Sequence, residues 1–456
     1  MRRWYGRVAA LAGTLLLAIG LTAGVAAGAT SGHHTGQLPD GAAWVADVPA
    51  AWNGTTILYS HGFGPLAAQN APDDATRQAL LDSGYALVGS SYSGPSWWAL
   101  ASAVGDQFGA LAALDRLTGP PRRTLAWGTS MGGLVSALEA EAGGHRLDGV
   151  LSTCGLVAGG LNLNNYQLDG EYALAHLLAP GQHVKLVRFA GPDEASASAA
   201  ALTKIATDAQ ATPAGQARIA LAAALMNEPT WFTGPTPPAP ADYAGQEVQQ
   251  QQELAQFVLG FVVSGRYQIE LAAGGNSAFT AGVDYRALLA GSSHARQVRA
   301  LYRAAGLDLD ADLTALTRDA DIRPDPAAVR TLARTSTVTG RLRVPTLDIH
   351  TTDDQLVPVE QEDWYGKQVR RAGGGALLRQ AYVGTTGHCA FRPAESIAAL
   401  HALESRVETG HWSDVTEPRR LNEAADGLGG GGRYVRFDPP RLTGGLGEPG
   451  RWGFRA

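Results

Sequence analysis

Short apolar runs alternate with longer amphipathic segments in the first third of the chain. The runs are short enough for buried strands and cover residues 55–60, 85–89, 124–127 and 149–152. The segments between them repeat apolar residues at helical spacing over 73–81, 98–117 and 131–142. Strands that alternate with helices in this way predict an α/β fold with a mostly parallel sheet covered by helices on both faces.

The alternation stops near residue 160 and resumes with an apolar run at 344–350. A second set of helix, strand and helix is then predicted for 361–371, 377–383 and 394–407. We therefore expect one α/β core formed by residues 43–160 and 341–408. It is interrupted by a largely helical insertion, residues 161–340, that forms a cap or lid before the late strands. Residues 417–456 are rich in Gly, Pro and Arg, which predicts a loose C-terminal tail or an extra edge segment.

The first 29 residues predict a secretory signal peptide. Arg2, Arg3 and Arg7 precede an uncharged apolar run that ends in Ala-Gly-Ala at 27–29. An uncleaved membrane anchor is the alternative, because the run is almost long enough to span a bilayer. We expect a secreted, extracellular protein with no stable membrane association after cleavage.

Composition and charge further limit the class of protein and its expected partners. With 45% apolar and 17% charged residues, the chain is globular rather than disordered. Loss of the three arginines in residues 1–29 would move the formal net charge from −6 to −9. An acidic chain without a basic run excludes nucleic acid as an expected partner.

One serine lies in a turn with glycines on both sides. Residues 128–132 read Gly-Thr-Ser-Met-Gly between a predicted strand and a predicted helix, the pattern G-x-S-x-G of a nucleophile elbow. Glycines are needed there because neighbouring backbones pass too close for side chains. The turn would lift the Ser130 hydroxyl above the sheet and aim the Met131 N–H at a bound group. An ordinary strand-to-helix turn is the alternative for the pattern taken alone.

A serine nucleophile needs a base, which is in turn held by a carboxylate. The apolar run at 344–350 is followed by Thr-Thr-Asp-Asp-Gln-Leu-Val-Pro at 351–358. The run at 377–383 is followed by Gly-Thr-Thr-Gly-His-Cys at 384–389. The chain thus supplies a serine, an acid and a histidine in that order, each after a predicted strand.

With these three motifs the chain resembles the α/β-hydrolase superfamily over residues 43–160 and 340–408. In that family the acid lies in a segment like G-x-x-D-x-x-V-P, which residues 351–358 match with threonine in the glycine place. The match selects Asp354, with Asp353 as the alternative. The family's histidine commonly follows a glycine, as His388 does.

The resemblance implies a Ser130, Asp354, His388 triad and two backbone donors for an oxyanion. One donor is Met131. The other comes from the loop after an early strand, where Ser-His-Gly-Phe-Gly at 60–64 makes Phe63 the expected donor and gives His61 a packing role. No metal or organic cofactor is expected, since this chemistry needs none.

The chain has two cysteines, Cys154 and Cys389. An even pair in an exported chain predicts one disulfide, and two unpaired buried cysteines are the alternative. The resemblance puts both residues at the carboxyl edge of the sheet, where a bridge would hold the histidine loop near the serine.

The implied activity is hydrolysis through an acyl-enzyme, with a small-molecule or polymeric ester as the expected substrate. Aromatic residues of the insertion would line an apolar pocket, namely Trp231, Phe232, Phe257 and Phe261, with Tyr92, Trp97 and Trp98 at its border. A secreted peptidase of the aminopeptidase or prolyl type is the alternative, and its cap would need a carboxylate such as Glu171, Glu247, Glu253 or Glu270. A catalytically inactive binding protein on the same scaffold is a third possibility.

Overall fold

The computed structural model describes residues 30–451. The predicted signal peptide, residues 1–29, lies outside the described residues. A search of the described helices finds none with the length and apolar character that a bilayer span requires.

A nine-stranded mixed sheet forms the centre of the molecule, in the order β1-β2-β4-β3-β5-β6-β7-β8-β9. Neighbours from β4 to β8 pair in parallel, whereas β1, β2 and β9 are antiparallel additions at the two edges. The expectation of a mostly parallel sheet is confirmed. The strands are β1 (Gly32–Gln37), β2 (Ala43–Val48), β3 (Thr55–Ser60), β4 (Ala86–Ser90), β5 (Arg123–Thr129), β6 (Gly149–Thr153), β7 (Thr346–Asp353), β8 (Leu378–Thr386) and β9 (Tyr434–Val435).

The helices fall into three groups along the chain. Before β6 come α1 (Asp74–Asp82), α2 (Leu100–Thr118) and α3 (Met131–Ala142). Between β6 and β7 lie α4 (Gly160–Leu178), α5 (Pro192–Ala209), α6 (Pro213–Met226), α7 (Tyr243–Glu253), α8 (Leu259–Ala273), α9 (Tyr285–Gly291), α10 (Ala295–Ala305), α11 (Leu309–Asp319) and α12 (Pro326–Thr335), with a π-helical turn at Leu254–Val258. After β7 come α13 (Glu360–Arg371), α14 (Pro393–Thr409) and α15 (Pro418–Gly427).

Both faces of the sheet are covered, because its strand residues alternate between two cores. In β3, Leu58 belongs to the core formed with α2, α3 and α13, whereas Ile57 and Tyr59 face α1, α14 and α15. Buried residues of α4, α6 and α8 belong to the first of these cores. The helices between β6 and β7 therefore pack on the same apolar core as one face of the sheet.

Strand β1 was not predicted from the sequence. Its residues, Gly-His-His-Thr-Gly-Gln, have no apolar alternation and are mostly exposed. They form a strand because their backbone pairs with β2 at the edge of the sheet. Edge pairing through main-chain hydrogen bonds leaves little hydrophobic signal in a sequence.

The C-terminal segment is an edge addition. Strand β9 pairs with β8, and α15 packs against α14. Arg451 is fully buried, and its guanidinium donates to both carboxylate oxygens of Asp169 at 2.6 and 2.5 Å. It also donates to Asn165 Oδ1 at 3.0 Å and to the Phe279 carbonyl oxygen at 2.7 Å. The loose-tail alternative is therefore wrong for residues 417–451.

We predict that Arg451→Met lowers the free energy of unfolding by about 3–5 kcal/mol, because it leaves the Asp169 carboxylate buried without its cation. Denaturant unfolding followed by circular dichroism measures this. Arg436→Met is the control, since Arg436 is exposed and pairs with Glu417 at the surface. Adding Asp169→Asn to Arg451→Met should recover part of the loss. Equal effects of Arg451→Met and Arg436→Met would contradict the role given to the buried pair.

Candidate active site

The serine turn is strained, as the two flanking glycines indicate. Ser130 has φ 60° and ψ −123°, a backbone conformation that residues with a side chain rarely adopt and that costs on the order of 1–3 kcal/mol. A Cβ at Gly128 would collide with the Gly132 carbonyl, and a Cβ at Gly132 would collide with the Ser60 carbonyl. Larger residues at these two positions would push apart the strands and helix that hold the serine.

The structure brings the predicted serine, histidine and acid together at the carboxyl edge of the sheet. Ser130 Oγ lies 2.8 Å from His388 Nε2. His388 Nδ1 lies 2.9 and 2.8 Å from the two carboxylate oxygens of Asp354. The three side chains form one continuous chain of hydrogen bonds across residues distant in the sequence.

Of the two adjacent aspartates, Asp354 is the one that contacts His388. Its Oδ1 also accepts the backbone N–H groups of Leu356 and Val357 at 3.0 and 2.9 Å. Burial alone would raise the pKa of Asp354, but His388, His350 and the Val357 N–H together hold it below the ordinary value. Asp354 is therefore ionised at neutral pH. Burial raises the pKa of Asp353 to about 6, and its backbone carbonyl accepts the Gly387 N–H.

The predicted disulfide is confirmed, because Cys154 and Cys389 are bonded. Cys154 directly follows β6, and Cys389 directly follows His388, with its Sγ 3.4 Å from His388 Nε2. The bond joins the histidine loop to the strand next to the serine strand. It also removes the thiolates that a metal ion would need from the cluster of Cys154, His388 and Cys389.

The loop after β3 lies beside Ser130. A Cβ at Gly62 would lie 3.3 Å from Ser130 Cβ. The backbone at Gly62 therefore passes close to the serine, and Phe63 is the next residue of the same loop. No acceptor for the Phe63 N–H occurs within the described chain. Met131 is the first residue of α3, a position where the N–H has no partner inside the helix.

His61, in the same loop, is buried and packs against Tyr92. It is 1% exposed, its ring stacks on Tyr92 at 4.1 Å between centroids, and Tyr92 Oη donates to the His61 carbonyl at 3.0 Å. Burial lowers the pKa of His61, so the ring stays neutral. This packing agrees with the structural role expected for His61.

A narrow apolar slot opens onto Ser130 and His388. The enclosed cavity has a volume of about 40 Å³, and the space up to and including its open mouth is about 450 Å³. The slot therefore suits a flat or slender group. Besides Ser130 and His388 its walls are Phe63, Trp98, Leu156, Leu163, Gln167, Phe261, Val262, Gly265, Ile269, Leu356 and Val357.

The aromatic residues expected around the pocket divide into two groups. Phe261 and Trp98 line the slot, and Trp97 contacts Phe63 ring to ring at 5.9 Å. Phe257 packs on Phe261 outside the slot and is 40% exposed. Trp231, Phe232 and Tyr92 do not line it. The expectation that Trp231, Phe232 and Phe257 line the pocket is therefore wrong for this slot, whose wall from the insertion is formed by α4 and by Phe261, Val262, Gly265 and Ile269 of α8. Tyr92 packs on His61 instead of bordering the slot.

The carboxylates considered for binding a substrate amine lie elsewhere. Glu171 pairs with Arg266 inside the insertion, and Glu270 accepts the backbone N–H groups of Arg188 and Phe189. Glu247 accepts from Gln210, and Glu253 is buried without lining the slot. Among the residues that the structure describes, no Asp, Glu, Lys or Arg lines the slot.

Sequence reasoning missed the inner wall of the slot. Leu163 and Gln167 come from α4, and Gly265 and Ile269 come from α8. Each pair is spaced by four residues and so lies on one helix face. That spacing was the only signal in the sequence, and any buried helix shows it.

We predict that the disulfide stabilises the fold by about 4–5 kcal/mol, because it closes a loop of 235 residues in the unfolded chain. The measurement is the free energy of unfolding with and without a thiol reductant. The Cys154→Ser/Cys389→Ser double variant should match the reduced wild type and show no response to reductant. A reductant effect of the same size on that variant would contradict the prediction.

Comparison with known proteins shows similarity to an amidase over most of the chain. The chain is 28% identical over 434 residues to an o-phthalyl amidase of Xanthobacter agilis, covering 89% of this chain and 94% of the relative. No family model matches the chain.

Solved structures with partial overall likeness include both esterases and peptidases. Feruloyl esterase B from Aspergillus oryzae matches with TM-score 0.40 and 15% identity, over 84% of this chain and 80% of that one. The acylaminoacyl peptidase of Pyrococcus horikoshii matches with TM-score 0.37 and 11% identity, over 78% and 37%. The cell wall degrading esterase LipA of Xanthomonas oryzae matches with TM-score 0.35 and 14% identity, over 82% and 87%. Likeness at this level indicates nothing about substrate.

Two features identify the fold. They are the order of the parallel strands and the position of the serine turn between β5 and α3. Strands β4-β3-β5-β6-β7-β8 follow one another in the sheet, and the strained serine stands at its carboxyl edge. With the sheet covered by helices on both faces and the large helical insertion after β6, the chain has the α/β-hydrolase fold.

Proposed function

We propose that this protein is a serine hydrolase that cleaves carboxylic esters through an acyl-enzyme, with Ser130, His388 and Asp354 as its triad. The observation that carries the proposal is the hydrogen-bond chain from Asp354 through His388 to Ser130 Oγ, which ends at an apolar slot. A carboxylate, an imidazole and a serine hydroxyl in this arrangement make the hydroxyl nucleophilic.

In the first half of the reaction Ser130 Oγ attacks the substrate carbonyl carbon, and His388 Nε2 takes the serine proton. The carbonyl oxygen becomes negative in the tetrahedral intermediate and accepts hydrogen bonds from the backbone N–H groups of Met131 and Phe63. His388 then gives its proton to the leaving group as the bond to that group breaks.

Water completes the cycle. His388 takes a proton from the water, the resulting hydroxide attacks the acyl-enzyme, and Ser130 leaves with the proton returned by His388. Asp354 stays ionised throughout and stabilises the imidazolium form of His388. The backbone N–H groups that hold Asp354 keep it in position for that role.

An ester with a flat or slender acyl group fits the site best. The slot is narrow, and its walls are almost entirely apolar and aromatic side chains. No carboxylate of residues 30–451 lines the slot to bind a charged substrate amine, which speaks against an aminopeptidase. The substrate is a small molecule, or a polymer that carries such an ester.

An amide is the second candidate substrate. Its support is the similarity, over almost the whole chain, to a protein whose name describes an o-phthalyl amidase. The triad chemistry is the same for both substrate classes, and only the leaving group differs. A binding protein without activity is disfavoured, since all three triad positions are filled and hydrogen-bonded.

We also propose secretion. A signal peptide in residues 1–29 would export the chain, and a disulfide beside the catalytic histidine persists in an oxidising compartment.

We predict that Ser130→Ala lowers kcat for 4-nitrophenyl ester hydrolysis by about 10⁴–10⁶-fold and abolishes labelling by a serine-directed phosphonate. His388→Ala should cost a similar factor. Ser136→Ala is the matched control, because Ser136 is a buried serine of α3 that donates to the Gly133 carbonyl away from the slot. Undiminished turnover by Ser130→Ala would rule out the proposed mechanism.

We predict that the wild type hydrolyses 4-nitrophenyl benzoate faster than the matching 4-nitroanilide, because an ester has the better leaving group for the same acyl pocket. Initial rates at equal substrate concentrations test this, with Ser130→Ala as the background control. A higher kcat/KM for the anilide or for a phthalyl amide would move the assignment from esterase to amidase. Activity confined to anilides with a free α-amine would favour the peptidase.

A further inference from the structure

Helix α4 carries six buried amide or carboxylate side chains, an unusual number for one helix. Five have partners inside the protein. Asn162 accepts from the Leu446 N–H, Asn164 from Arg266, and Asn165 from the Phe279 N–H. Asp169 accepts from Arg451, and Glu171 from Arg266.

The sixth, Gln167, differs from the others. It is 6% exposed, and its side-chain amide makes no hydrogen bond within the described part of the chain. It is also the only one of the six that lines the slot at Ser130 and His388. The Gln167 amide atoms are not among the polar atoms that are closed off from water without a partner, so they open onto the slot and can hydrogen-bond a group that enters it.

The surroundings of Gln167 limit what that partner can be. Leu163 lies one helical turn before it on the same face, and Ile269 of α8 lines the same slot. Neither a cation nor a carboxylate from the described residues reaches the slot. A charged ligand group there would lose its water without gaining a counter-ion, whereas a neutral oxygen would lose little.

A primary amide both donates and accepts hydrogen bonds. A hydroxyl oxygen can match both functions, and an ether or carbonyl oxygen can accept from the amide. The leaving group must depart while the acyl group stays bonded to Ser130, so the enclosed slot is the place for the acyl group.

We propose that Gln167 is a specificity-determining residue that binds a neutral oxygen substituent, of the hydroxyl type, on a flat acyl group. This inference rests on the proposed serine hydrolase function. It narrows the substrate class to hydroxylated aromatic or similarly slender acyl esters.

The experiment compares kcat/KM for 4-nitrophenyl benzoate, its meta- and para-hydroxybenzoate counterparts, and the mono-ester of phthalic acid. The leaving group is the same in all four, so differences arise in the acyl site. The proteins are the wild type, Gln167→Met, Leu163→Ala and Ser130→Ala. Gln167→Met keeps the length of the side chain and removes its donor and acceptor.

We expect Gln167→Met to lower kcat/KM for the better hydroxybenzoate by about tenfold or more relative to benzoate. The ratio of kcat/KM for hydroxybenzoate to kcat/KM for benzoate is compared between each variant and the wild type. The intrinsic reactivity of the two esters therefore cancels. Leu163→Ala changes the apolar wall, and it should alter benzoate and hydroxybenzoate by the same factor. Gln167→Glu, with nearly the same shape, should keep part of the hydroxybenzoate preference because a hydroxyl can donate to a carboxylate.

The outcomes distinguish failure of the role given to Gln167 from failure of the proposed serine hydrolase function. Suppose that turnover depends on Ser130, but that Gln167→Met has the same hydroxybenzoate-to-benzoate ratio of kcat/KM as the wild type. This result overturns the role of Gln167 and leaves the serine hydrolase proposal intact. A selective loss for the phthalyl ester, with the hydroxybenzoates unaffected, overturns the neutral substituent. Absence of Ser130-dependent turnover for all four esters overturns both proposals. If Gln167→Met does not fold, Gln167→Glu is used: a partial loss of the hydroxybenzoate-to-benzoate ratio supports the role of Gln167, and a ratio unchanged from the wild type overturns it.

Discussion

The close approach of three backbone segments around Ser130 is the constraint on which the site depends. Strand β5, the start of α3 and the loop after β3 meet where only glycine fits at positions 128 and 132. This crowding holds the serine in a conformation that a free chain would not adopt. The packed sheet and helix offset the energy of that strain, so the geometry of Ser130 is a property of the whole fold.

His388 and Asp354 are held in place by contacts different from those that hold Ser130. His388 lies in a loop, and a loop alone would not fix an imidazole within hydrogen-bonding distance of a serine. Here the Cys154–Cys389 bond joins that loop to β6, and Asp354 is itself held by two backbone N–H groups. Asp354, His388 and Ser130 are thus each positioned by separate local contacts.

The helical insertion contributes the walls of the slot. Helices α4 and α8 pack on the same apolar core as the sheet, which places their inner faces opposite Ser130. Most buried polar groups of α4 are used to hold the insertion and the C-terminal segment together, as the Asp169 pair with Arg451 shows. Gln167 has no such partner among the described residues and lines the slot at Ser130 instead.

The sequence by itself determined the parts that depend on local backbone sterics and strand order. The glycines around Ser130, the Gly-His pair at 387–388 and the alternating apolar runs were sufficient for the fold and for two residues of the proposed triad, Ser130 and His388, and the segment at 351–358 limited the acid to Asp353 or Asp354. Only the tertiary structure decided between Asp353 and Asp354, paired the polar strand β1 at the sheet edge, and placed Leu163 and Gln167 beside the serine. These features arise from contacts between residues far apart in the chain, which leave no pattern at short sequence separation.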